Sequence, residues 1–123
     1  MKTLATALTV ALLSGVGLAE SAADFSGTWD LAMEWSGDSR STGVCVFKQE
    51  GDKLSGTCGS PDKFPISGRV QSNKLNWQLD VEQDGAKGRM EFNGEVDEHG
   101  TTIKGSCSVV GAQDGTFTMK KRS

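Results

Sequence analysis

One five-residue pattern, apolar-x-Gly-x-apolar or Cys, occurs four times in the chain: Leu54-Ser55-Gly56-Thr57-Cys58, Ile66-Ser67-Gly68-Arg69-Val70, Phe92-Asn93-Gly94-Glu95-Val96 and Ile103-Lys104-Gly105-Ser106-Cys107. Each copy has the period of two of a β-strand, so its first, third and fifth positions share one face and the polar residues take the other. Glycine weakens a strand unless the backbone needs the room. Its recurrence on the apolar parity therefore predicts tight curvature and close approach of backbone around a narrow interior.

The rest of the chain supplies partners for these strands. Trp29, Leu31, Met33 and Trp35 share a face of a first strand, and Thr42 to Gln49 forms a second with Cys45 and Phe47 on one side and Val44 and Val46 on the other. Polar Ser36 to Ser41 read as the connection between them. Leu75, Trp77, Leu79 and Val81 alternate with Asn76, Gln78 and Asp80 in the clearest half-buried strand. Turns are expected at Glu50-Gly51-Asp52, Ser60-Pro61-Asp62, Asp84-Gly85, Asp97-Glu98-His99-Gly100 and Gln113-Asp114-Gly115. Short loops favour antiparallel pairing of successive strands. An open sheet would leave two edges unpaired, whereas closure removes both and buries the apolar face. The expected architecture is all-β: an eight-stranded antiparallel up-and-down barrel spanning residues 24–123, with a two-sheet sandwich as the competing arrangement. Eight large rings in so short a chain should fill much of the interior, leaving any cavity small or confined to one mouth.

Residues 1–19 have the layout of a secretory signal peptide: Lys2, the apolar run Leu4 to Leu13, then small residues up to Gly17-Leu18-Ala19. Cleavage is expected after Ala19, with Ala22 or Ala23 as alternatives, and a periplasmic or secreted product follows. The run is too short for a comfortable membrane span, so no stable membrane insertion is expected. The chain's net charge of -3 becomes one unit more negative when Lys2 is lost, and no basic stripe suggests nucleic acid as a partner.

Export permits disulfides among the 3 cysteines. Cys45 and Cys58 fall on successive strands around one turn and are the favoured pair, with Cys58 to Cys107 as the alternative; the spare cysteine is read as a small buried hydrophobe. The cysteine spacings lack the compactness of a zinc site, and His99 falls in a polar turn. No Cys-His or carboxylate pair has the placement that catalysis needs, so no enzymatic activity, metal or cofactor is expected.

At Gly27-Thr28-Trp29 and Arg122 the chain resembles the calycin superfamily, which includes lipocalins and fatty-acid-binding barrels, and it is similar to small secreted Gly-repeat barrels of bacteria. The resemblance implies that Trp29 closes one end of the barrel and that Arg122 packs across it as a cation-π cover, with Lys121 as a rival. Binding without catalysis is then the expected function. For a small apolar ligand, the candidate wall residues are Trp35, Phe47, Trp77, Met90, Phe92 and Met119. The alternatives are a protein-binding module, including a protease inhibitor like the small calycin-type inhibitors of bacterial metalloproteases, and a structural role in the cell envelope.

Overall fold

The computed structural model describes residues 24–59, 61–83 and 85–122. The expected signal peptide at residues 1–19 lies outside them. Eight strands follow one another: β1 (Gly27–Trp35), β2 (Ser39–Glu50), β3 (Lys53–Gly59), β4 (Phe64–Gln71), β5 (Lys74–Gln83), β6 (Ala86–Val96), β7 (Thr102–Val109) and β8 (Gln113–Lys121). Each pairs antiparallel with its sequence neighbours, and β1 pairs with β8, closing an up-and-down barrel.

The barrel interior collects the predicted parity. Trp29, Leu31, Met33 and Trp35 of β1 are buried, as are Leu54 and Cys58, Ile66 and Val70, Phe92 and Val96, and Ile103 and Cys107 from the four repeats. On β2 the ambiguity resolves in favour of Cys45 and Phe47, and Val46 is 41% exposed. Phe47, Trp77, Phe92 and Phe117 meet at mid-barrel: Trp77 stacks on Phe92 with centroids 4.7 Å apart, and Phe47 and Phe117 meet Trp77 edge-on at 5.1 and 5.3 Å. Offset and edge-on contacts of this kind add to the area buried by the rings. Trp77 Nε1 has no hydrogen-bond partner in this layer.

The repeated glycines make room for these rings. In the strand register Gly56 lies opposite Phe47, Gly68 opposite Trp77, Gly105 opposite Phe117 and Gly115 opposite Trp35. At Gly68 a Cβ would run into the Asn76 carbonyl oxygen and come within 2.7 Å of Trp77 Cβ. At Gly56 the backbone φ of +129° is itself closed to ordinary L-residues, and a Cβ there would strike the Val46 carbonyl oxygen. A bulky ring facing a glycine covers backbone that would otherwise be left exposed.

Two expected connections are shorter than the sequence suggests. Ser36 to Ser41 is not all loop, because Ser39, Arg40 and Ser41 pair with Trp35, Glu34 and Met33. Gln113-Asp114-Gly115 is strand, not turn, pairing with Val109, Ser108 and Cys107. Both segments look like loops because their residues are small or polar. Their pairing is imposed by neighbouring strands that extend to the barrel rim, where little apolar surface has to be covered.

The two ends differ. At the end holding the N-terminal segment, Phe25 is 1% exposed beneath Trp29, whose Nε1 donates to the Phe25 carbonyl at 2.9 Å. Gln49 Oε1 accepts from Phe25 N–H at 2.8 Å, and Ser26 Oγ accepts from Gln49 N–H at 3.0 Å. This end is sealed. The cation over Trp29 is Lys121, with Nζ 5.8 Å from the ring centroid. Arg122, expected as the cover, instead donates to Asp30 at 2.6 Å on the outer surface. The correction follows from strand parity: Lys121 is the register partner of Trp29, and the next residue is carried to the opposite side of the sheet.

Candidate functional site

At the opposite end, where the β1–β2, β3–β4, β5–β6 and β7–β8 connections lie, the interior opens into a cavity of about 390 Å³. Its wall begins at the aromatic layer, which contributes Phe92. Leu31, Met33 and Trp35 enter from β1, Leu79 and Val81 from β5, and Met90 and Phe92 from β6, with Phe64 at the start of β4. Each strand directs alternate side chains inward, so a nearly continuous apolar wall follows from parity alone. Cys58 and Gly43 complete it on the β2–β3 side, and Pro61 and Asp62 border it from the β3–β4 connection.

Polar chemistry is sparse. Trp35 Nε1 donates to Ser41 Oγ at 3.3 Å at the rim. No polar or charged side chain is fully buried among the described residues, and these include no cluster of His, Cys, Asp or Glu able to hold a metal ion. Cys45 and Cys58 stand directly opposite each other on β2 and β3 and form a disulfide. The bridge joins a 13-residue separation, for which an entropy-only estimate gives about 3 kcal/mol of stabilisation. Cys107 is free and buried, and its pKa is pushed up to about 11, mainly by burial and further by the negative charge of Asp114. A thiol held protonated in this way is a poor nucleophile. His99 is an exposed turn residue whose Nε2 lies 3.8 Å from Glu98.

Of the six wall residues expected from sequence, the structure brings together Trp35, Met90 and Phe92 at the cavity. Phe47 and Trp77 belong to the aromatic layer beneath it, and Met119 is fully buried, paired in register with Leu31 and Ile103. Leu31, Met33, Phe64, Leu79, Val81 and Asp62 are additional lining residues. Most of them have the inward parity already evident in the sequence. What parity lacks is height along the barrel axis, which register and the sealing of the other end determine.

No family model and no curated protein matches the sequence. Among solved structures, a redesigned β-barrel is similar, with a TM-score of 0.63 and 19% identity over 80% of this chain and 91% of that one. At that identity the likeness concerns the fold alone.

Proposed function

We propose that the protein is an exported, noncatalytic, calycin-like binder that takes up a small apolar ligand at the open mouth of its barrel. The observation that carries the reading is the cavity itself: about 390 Å³, lined mainly by apolar side chains with Ser41, Thr42 and Asp62 among the rest, and floored by a packed aromatic layer. Its size falls in the range of small-molecule sites, and a wall of aliphatic, aromatic and methionine side chains favours shape-tolerant enclosure of apolar surface. Export is supported by the signal-like layout of residues 1–19 and by a disulfide in the core, which suits an oxidising compartment. Charged residues such as Asp30, Lys48, Asp80 and Lys104 occupy the exposed outer face, the reverse of a lipid-facing barrel.

Titration with the neutral fluorophore N-phenyl-1-naphthylamine tests the proposal. The expected result is a saturable, single-site rise in fluorescence below about 1 mM probe. Gly43→Leu should abolish it. Gly43 lines the cavity and its neighbours there stand 3.9 Å from an added Cβ, so a larger side chain fills the mouth without meeting backbone at close range. A signal that fails to saturate, or that survives in folded Gly43→Leu, contradicts the proposal.

A further inference from the structure

Among the described residues that line the mouth, Asp62 is the one ionisable residue, and no lysine or arginine is present. Two aromatic rings at the open end, Trp35 and Phe64, border the same cavity, whose floor includes Phe92. An aromatic wall with an acid at its rim attracts a weakly hydrated cation, because ring faces carry negative potential and the carboxylate adds a full charge. It disfavours a carboxylate head, which would meet Asp62 with no lysine or arginine in the lining to offset the repulsion. Resting on the proposed binding function, we propose that the mouth selects amphiphiles with one alkyl chain and a quaternary ammonium head, and that Asp62 determines this preference.

The surrounding charges support the assignment. The connections at this end also carry Asp38, and Asp114 lies near the start of β8. Two nearby basic residues are paired elsewhere: Arg40 with Glu34 at 3.3 Å and Arg89 with Asp80 at 3.2 Å. Lys63 follows Asp62 in the chain and does not line the cavity. The alkyl chain would lie along Leu31, Met33, Leu79 and Met90, leaving its head at the level of Asp62.

Calorimetric titration with three ligands of equal chain length, decyltrimethylammonium, decanol and decanoate, at pH 8 and low salt tests this assignment. The cation is expected to bind about three- to tenfold more tightly than the carboxylate, with the alcohol between them, as befits one exposed charge. The difference should shrink as salt is raised. Asp62→Asn, in an exposed connection, should bring the cation and carboxylate affinities together. Equal affinities for all three in the unaltered protein, or a cation preference that survives Asp62→Asn, overturns the inference and leaves the apolar-binding proposal standing. Failure of all three to bind overturns both.

Discussion

Asp97 shows how much local order one side chain can impose. Its carboxylate accepts from the Thr101 and Thr102 N–H groups at 3.0 and 3.3 Å, and the Thr101 hydrogen bond is the main cause of its lowered pKa. Asp24 is lowered by the Ser26 N–H and Asp30 by the Arg122 guanidinium. An acid whose pKa is lower folded than unfolded stabilises the fold above its unfolded pKa, and that contribution is lost as pH falls through the folded value. Stability measured by urea midpoint should therefore be nearly flat from pH 7 to about 5 and decline below the ordinary carboxylate value of 3.8, with a shallower decline in Asp97→Asn. Cys107 has the opposite sign in alkali. Its folded pKa of about 11 exceeds the ordinary 9.0, so its contribution is complete below pH 9 and is lost as pH rises toward 11. In native protein at pH 8, iodoacetamide should leave Cys107 unmodified, and after unfolding without reductant intact mass should show one adduct. Rapid native labelling, or no adduct after unfolding, contradicts its assignment as the buried free thiol.

At the level of strands, the pairing of glycine with large rings explains why an interior so rich in aromatics closes at all. Gly68→Ala puts a methyl group against the Asn76 carbonyl and Trp77, and should cost about 2 to 3 kcal/mol in chemical denaturation. Gly43→Ala meets ordinary contacts only and should stay within about 0.5 kcal/mol. Equal effects at the two sites would mean that glycine is not relieving close approach at Gly68. Strand identity and inward parity were legible because Leu75, Trp77, Leu79 and Val81 alternate so regularly, and the repeats mark both the buried face and its bends. Strand ends were less legible. Ser39 to Ser41 and Gln113 to Gly115 have turn-like composition, and only the pairing of their neighbours makes them strand.

Over the whole molecule, closure of β1 on β8 turns eight half-apolar strands into one interior with two unlike ends. One is sealed by Phe25, Trp29 and Lys121; the other opens on Leu31, Met33, Trp35 and Met90. The sequence carries the inward set for both ends but not the depth of each side chain, because register across the sheet is a property of pairs of strands. That is why Phe47, Trp77 and Met119 share the parity of the cavity wall and yet lie below it. The methionines sample this axis, since Met33 and Met90 line the mouth and Met119 is buried away from it. Methyl NMR of protein labelled at methionine, titrated with decyltrimethylammonium, tests the central claim most directly. The Met33 and Met90 resonances should move together and saturate at one equivalent while Met119 stays in place; a stationary Met33 and Met90, or a Met119 that shifts as far as they do, would contradict a ligand site at the open mouth.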